Sequence, residues 1–359
     1  MNFIRNRNFR AGPQTSLEGF ICPQNSDKKQ KIKVFGRSGG GAQDVTLQLA
    51  HALNETDKPI VLTDTPLSKI DAVYKDKAVF EQFSMRNVIK YASCNTVFLS
   101  HHRKNMTLLE IFRIIAFWKT FNIIHVAHNT FSNLKCLSWL PKNIIAVSNG
   151  VKENLVDYFW QQPQNVHVVF NGIKDIYQKS EQTKEDGEVK VLLAGRICSV
   201  KQQVELAKFL KCKLKDHIKI SFAGKGEQAE ELLRVIKDDK HFEYLGFIDM
   251  IQELPNYDYV MLFSKNEGLG LSLVQGCMFG KPLITNDIKP VLDVNKDGFN
   301  GFVCSDFESL LNTLNTLPLP SSEQYIKLSR NSRNQYLKYF EDTRMFNQYR
   351  HIIENAFFS

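Results

Sequence analysis

The feature that most constrains this chain is a pattern that occurs twice. Short apolar runs that do not alternate with polar residues are separated by longer stretches of helical period. In the first half the runs are Lys31–Gly36, Pro59–Thr63, Thr96–Ser100, Asn122–Ala127, Asn143–Ser148 and Val166–Phe170. In the second they are Val189–Ala194, Ile218–Ala223, Phe242–Leu245, Tyr259–Phe263 and Pro282–Thr285. They are rich in Val, Ile, Leu and Phe, which suits strands of parallel sheets covered on both faces. Helical stretches such as Ala42–Asn54, Lys201–Lys211 and Glu227–Lys237 lie between them. The expectation is an α/β chain of two doubly wound, Rossmann-like domains. A length of 359 residues agrees with two domains at about 150 residues each. The polar stretch "KSEQTKEDGE", Lys179–Glu188, reads as the linker. The expected division is therefore a domain over 1–178, with a polar lead-in over 1–30, and a second over 179–335. A terminal helix over 336–359 is expected to pack back on the first. Open α/β sheets take ligands at the carboxyl ends of their strands, so two such domains facing each other define a cleft.

Composition narrows the class. No apolar run approaches the roughly 18 residues of a membrane span. The basic start "MNFIRNRNFRAGPQ" has no apolar stretch behind it, unlike a secretory signal. Seven scattered cysteines without a CxxC pair point to reduced thiols in a cytoplasmic protein, not a disulfide framework or zinc site. Of the formal net charge of +8, residues 1–180 carry +10 and the remainder −2. A basic first half suits an anionic partner such as phospholipid headgroups, nucleic acid or a phosphorylated substrate; a plain solvated basic surface is equally consistent. The stretch "MTLLEIFRIIAFWKTF", Met106–Phe121, is mostly apolar and aromatic with cations around it. It reads first as a core helix and second as a helix lying in a membrane interface.

Five segments carry candidate chemistry. In "VFGRSGGGAQDVTLQLA" a strand ends at Gly36, and Gly39, Gly40 and Gly41 lead into a helix, where backbone N–H groups can approach an anion. It is neither the full dinucleotide fingerprint nor a P-loop. In "KVLLAGRICSVKQ" a strand ends at Gly195-Arg196, with Lys201 five residues on. Arg196 suits a diphosphate as a planar fork and Lys201 as a point charge. In "ISFAGKGEQAEELL" Gly224 and Gly226 fit close backbone approach or a simple tight turn. In "FSKNEGLGLSLVQGCMFGKPLIT" Glu267 follows a strand and Gly268 and Gly270 precede a helix starting at about Leu271. A carboxylate there can accept several backbone N–H bonds or reach a hydroxylated ligand. Gln275, two helical turns and a little more beyond Glu267, can share that side of the helix. In "NIIHVAHNTF" His128 closes a buried strand, whereas His125 lies within it and reads as structural.

Taken in order, these segments resemble glycosyltransferase family 4, the retaining transferases of the GT-B fold, over roughly residues 31 to 340. "GGAQDVTLQLAHAL" resembles the family's glycine loop and first helix, and "VAHN" its strand-end histidine. "IAVSNGVKENL" and "VVFNGI" resemble its serine and Asn-Gly-Ile segments. "AGRICSVK" resembles its Gly-Arg…Lys motif, and "FAGKGE" and "YLGFI" follow as expected. "NEGLGLSLVQGCMFGKPLI" is similar to its Glu-x7-Glu motif ending in Gly-x-Pro.

The resemblance implies roles. Arg196 and Lys201 would hold the diphosphate of a nucleotide-sugar. Glu267 would contact hydroxyls of the transferred sugar, and His128 would face that sugar. Backbone N–H groups of Gly268, Leu269, Gly270 and Leu271 would lie near sugar and phosphate, with Gly195 and Gly224 beside the donor and Gly40 and Gly41 near the diphosphate. It implies transfer with retention, the leaving phosphate taking the acceptor proton. No Asp-x-Asp sequence occurs, which agrees with transfer that needs no metal or other cofactor. Two departures stand out. Gln275 occupies the place of the family's second Glu, which binds ribose. Ile288-Lys289-Pro290 stands where many members have a Gly-Gly turn.

The expected function is thus a metal-independent hexosyltransferase. It would move sugar from a nucleotide-sugar, a UDP-sugar foremost, to a lipopolysaccharide, capsule or other lipid-linked glycan. Its expected place is the cytoplasm or the inner face of the cytoplasmic membrane, touching anionic lipid and no nucleic acid. The alternative is a degenerate, non-catalytic member that binds glycan or a partner transferase.

Overall fold

The computed structural model describes residues 31–34, 41–54, 59–70, 72–177 and 187–358. The turn holding Gly36, Gly39 and Gly40, the lead-in over 1–30 and most of the expected linker lie outside the described residues. Two parallel sheets carry the fold. The first comprises β1 (Lys31–Val34), β2 (Ile60–Thr63), β3 (Val79–Gln82), β4 (Thr96–Ser100), β5 (Asn122–Ala127), β6 (Asn143–Ala146) and β7 (Val166–Val168), in the order β3-β2-β1-β4-β5-β6-β7. The second comprises β8 (Val189–Ala194), β9 (Ile218–Ala223), β10 (Phe242–Gly246), β11 (Tyr259–Leu262), β12 (Leu283–Asn286) and β13 (Gly301–Cys304), in the order β10-β9-β8-β11-β12-β13. α-Helices cross between most successive strands, and 3-10 turns stand between β5 and β6 and between β12 and β13. The doubly wound α/β expectation is met.

Contacts group the chain into two compact units. One holds the residues up to His125 with Ser138–Pro141; the other holds Val126–Leu137 and Lys142–Ser359. The second unit therefore includes the end of β5, all of β6 and β7, and the whole second sheet. The core of the first unit gathers Leu62, Val88, Phe98, Met106, Leu109 and Ile123. That of the second is built on Val191, Ile220, Phe222, Tyr259 and Met261 of the sheet and on helix residues Leu206, Leu210 and Leu232.

Among the strands found in sequence, all five residues of β4 and all four of β11 are buried, while β7 and β10, found by their apolar residues, lie at sheet edges and are partly covered. The two strands not expected, β3 and β13, are edge strands and only partly covered. An edge strand needs no continuous apolar run, so neither has the signal that marks the others. The helix expected over Met106–Phe121 is also revised. It runs Arg103–Ile115 and buries Met106 and Leu109, but Ile114, Ile115, Phe117 and Trp118 are exposed, Phe117 at 83%. The core reading holds for its first half and fails for its end.

Beyond β7 the chain is tied to the two terminal helices, Glu323–Tyr339 and Asp342–Phe357. Arg333 makes a forked ion pair with Asp175, the Tyr336 hydroxyl donates to the Ile173 carbonyl (2.7 Å), and the Gly172 N–H meets Met345 Sδ (3.2 Å). Ile173 also bridges to Glu341 in parallel pairing. A Cβ at Gly172 would lie 2.6 Å from the Glu341 carbonyl oxygen.

Phe222 is fully buried in the second core, and Phe247 is 75% exposed. Phe222→Ala should cost about 3–5 kcal/mol by urea unfolding. Phe247→Ala should stay within about 0.5 kcal/mol.

Candidate active site

The second sheet reverses its order between β8 and β11, and the crevice beyond the carboxyl ends at such a switch point is where doubly wound sheets bind ligands. The loops leaving β8, β9 and β11 meet there, and backbone packs on backbone. Gly224, at φ +138°, turns its Cα against the Gly195 carbonyl, where a Cβ would come within 1.9 Å of the oxygen. Gly226 meets the Ile197 carbonyl at the same distance. Hydrogen bonds from Gly195 N to the Ala223 carbonyl (2.9 Å) and from Ile197 N to the Lys225 carbonyl (3.0 Å) fix the pairing. The side of Gly224 that a side chain would occupy is thus filled by a neighbouring loop, and this packing explains the glycine.

The loop after β8 is held from inside by Gln203. This residue is fully buried; its amide donates to the Arg196 carbonyl (2.9 Å) and its oxygen accepts from Cys198 N (3.4 Å). Arg196 itself is exposed at the end of β8. Lys201 comes next, and its ammonium forms an ion pair with the Glu267 carboxylate. Glu267 is 8% exposed. Two of the residues singled out in sequence, 66 positions apart, are therefore in contact.

Glu267 is placed by a small polar frame. Ser264, fully buried at the end of β11, donates from its hydroxyl to the Val200 carbonyl (3.0 Å) and is clamped by Asn286. Asn286 Oδ1 accepts from Ser264 N (3.2 Å), and its Nδ2 donates to the Ser264 carbonyl (2.7 Å). Lys265 N donates to the same Val200 carbonyl (2.8 Å). The loops carrying Lys201 and Glu267 are thus bonded main chain to main chain. Gln203, Ser264 and Asn286 were not found in sequence. Their only signal there is a lone polar residue abutting a buried strand or opening a helix, which countless surface positions share.

Past Glu267 the chain turns into the helix Leu271–Met278. Gly270, at φ +84°, supplies the left-handed turn. The first bond within the helix runs from Leu273 N to the Gly270 carbonyl, so the amides of Leu271 and Ser272 precede the ladder and face outward from a helix start. An anion is favoured there by those donors and by the helix dipole. Leu269 is buried and Gln275 partly exposed, with no carboxylate in its place.

His128 is brought to the same spot. A Cβ on Gly268 would lie 1.7 Å from the His128 carbonyl oxygen, so only glycine fits. The next residues are stitched on: Thr130 Oγ1 donates to Asn266 Oδ1 (2.7 Å), and Asn266 Nδ2 returns a bond to the Thr130 carbonyl (3.1 Å). Burial pushes the His128 imidazole down to about 4, so it is neutral at pH 7. His125 is a core residue, 3% exposed, with Nδ1 at 2.9 Å from the Ser100 carbonyl. Gly41 starts the helix Gly41–Asn54 of the first unit. The Lys289-Pro290 departure also has a local account: Lys289 pairs with Glu153, Pro290 abuts Gly150, and Asn149 donates twice to Asp293 (2.6 and 2.7 Å). Those residues join the β12 loop to the start of the helix Asn149–Asp157.

A basic pair, a buried carboxylate and a helix start stand together at a switch point, an arrangement chemically suited to an anionic, hydroxylated ligand. Residues 175–335 match the model of the family Glycosyl transferases group 1. The O-antigen biosynthesis glycosyltransferase WclY of Escherichia coli is 22% identical over 239 residues, 62% of this chain and 65% of that relative, a little under two thirds of its length. The fold is GT-B. Alr3699/HepE of Anabaena, solved with UDP and glucose, superposes with a TM-score of 0.74 at 16% identity, covering 89% of this chain and 97% of that one. The lipopolysaccharide outer core galactosyltransferase WaaB gives 0.71 at 16% identity, covering 88% and 96%.

Two outcomes follow from this geometry. Gln203→Leu should remove both bonds to the loop after β8 and cost about 2 kcal/mol by urea unfolding. His128 binds fewer protons folded than unfolded between pH 4 and 6.5. Stability should therefore fall as pH drops through that window, by about 3 kcal/mol in total. His128→Gln should flatten that slope in unfolding measured at successive pH values.

Proposed function

We propose that this protein is a retaining hexosyltransferase that takes its sugar from a UDP-sugar and needs no metal or other cofactor. The observation that carries the reading is the Lys201–Glu267 pair beside the start of the helix Leu271–Met278. In the free protein the two charges neutralise each other. An incoming diphosphate competes for Lys201 and is shared with exposed Arg196 and the Leu271 and Ser272 amides. Glu267 is then released to accept hydrogen bonds from the sugar's hydroxyls. The bond between the anomeric carbon and the diphosphate oxygen breaks, the acceptor oxygen bonds to that carbon on the same face, and the acceptor's proton passes to the departing phosphate. His128, uncharged, adds no positive charge that would hold the product. In this reading Gly195, Gly224 and Gly268 shape the pocket by backbone packing, and Gln275 bonds the ribose as an amide. Residues 179–335 form the donor-binding part and those up to 178 the acceptor-binding part; the family match beginning at residue 175 supports the first of these.

The acceptor in this reading is a lipopolysaccharide-type or other lipid-linked glycan, by analogy with the O-antigen and outer-core relatives. Among the described residues no helix is long and apolar enough to cross a membrane. The exposed cluster Ile114, Ile115, Phe117 and Trp118, flanked by Lys119, would instead rest on an anionic membrane surface, with aromatic rings at headgroup level.

Nucleotide release from UDP-, GDP-, ADP- and CDP-sugars, with and without EDTA, tests the reading. One donor, a UDP-sugar, should be consumed with EDTA present. Lys201→Ala should lower turnover on the order of 10² to 10³-fold. Glu267→Gln should lower turnover similarly yet bind UDP at least as tightly, because Lys201 no longer has a competing carboxylate. No binding and no release with any donor, even with membrane glycan added, would favour the degenerate, non-catalytic reading. Phe117→Ser with Trp118→Ser should abolish cosedimentation with anionic vesicles and leave donor hydrolysis unchanged.

A further inference from the structure

Away from the donor residues, a hollow of about 450 Å³ opens between β7, the helix Asn149–Asp157 and the helix Asp342–Phe357. Its floor is apolar, from Val166, Val169 and Ile352 among others. Its polar groups come from separate elements: Lys152 from the first helix, Gln164 from the turn before β7, His167 from β7, and Gln348 and His351 from the last helix. No carboxylate lines it. The side chains of Lys152, His167 and Gln348 make no hydrogen bond or ion pair among the described residues, whereas His351 Nε2 lies 3.0 Å from Asn355 Nδ2.

Cations at a protein surface are ordinary when each stands alone in water. Here one ammonium and two imidazole rings line one concavity, and the field of the ammonium is felt. His167 is exposed on β7, yet partial desolvation and the nearby Lys152 charge both push its imidazole below the usual range. A group so placed gains from an anion that answers the Lys152 charge and accepts from imidazole and amide N–H groups. Three separate elements of the fold would then share one ligand.

We propose that this hollow is a binding site for a phosphate group, distinct from the diphosphate site at Lys201 and Arg196. The phosphate accepts from the Lys152 ammonium, from the two imidazole rings and from the Gln348 amide, over an apolar floor that excludes water on one side. Its chemistry is that of a phosphomonoester or inorganic phosphate, free in solution or carried by a lipid headgroup.

Histidine ring resonances of the full chain test this, with His167 assigned by His167→Gln. Inorganic phosphate, titrated against sodium chloride at equal ionic strength, should move the His167 signal to saturation. Lys152→Gln should weaken that response on the order of tenfold or more, while donor hydrolysis and thermal unfolding without phosphate stay as in the wild type. Vesicles of phosphatidylcholine with and without phosphatidic acid separate the sources. A response to phosphatidic acid vesicles alone assigns the site to a lipid headgroup, and a response to inorganic phosphate assigns it to a soluble phosphate. No response to either, or an equal response to chloride, overturns the proposal. Because hydrolysis of the nucleotide-sugar is read separately, failure here leaves the donor-site reading intact.

Discussion

Backbone packed directly on backbone is the constraint on which the site depends. At Gly224, Gly226 and Gly268 the space for a Cβ is already taken by the carbonyl oxygens of Gly195, Ile197 and His128. These contacts bring the loops after β8, β9 and β11 and the segment after β5 closer together than side chains allow. Everything chemical rides on that closeness. Lys201 reaches Glu267 because their loops share the Val200 carbonyl, and His128 stands beside Glu267 because Gly268 has nothing in the way.

The electrostatics follow from the same packing. Burying a carboxylate is unfavourable unless it is paired, and removing one partner of such a pair leaves an uncompensated charge. The fold satisfies Glu267 with Lys201 while no ligand is bound. The proposed function draws on both members of this pair. A pair of this kind is poor evidence for stability but good evidence for a site, because a purely structural frame would place apolar residues there at less cost.

The buried strands and their crossings were legible in the sequence because strands covered on both faces must be apolar throughout, and β4, β5, β8 and β9 fall where the runs place them. Strands β3 and β13 were not: at an edge the compositional demand is weaker, and unlike the edge strands β7 and β10 these two carry no apolar run long enough to mark them. The helix Arg103–Ile115 shows the limit of composition. An unbroken apolar stretch reads as core, yet whether its last residues meet a neighbour or solvent depends on what packs there. Arg196, Lys201, Glu267 and the glycines were recognisable by type and spacing. The positioning residues Gln203, Ser264 and Asn286 were not, because a buried amide or hydroxyl is identified by its partners, and these come from other loops.

The sequence by itself determined the parallel α/β class, the places where the chain turns on glycine, and the few charged residues set at strand ends. Those are local properties, fixed by side-chain period, backbone freedom and charge. Only the tertiary structure decided that Lys201 and Glu267 touch, that Gly224 and Gly226 receive loops, and that Lys152, His167 and His351 line one hollow. Such contacts join residues tens to hundreds of positions apart, and they exist only once the sheets have fixed where each loop ends.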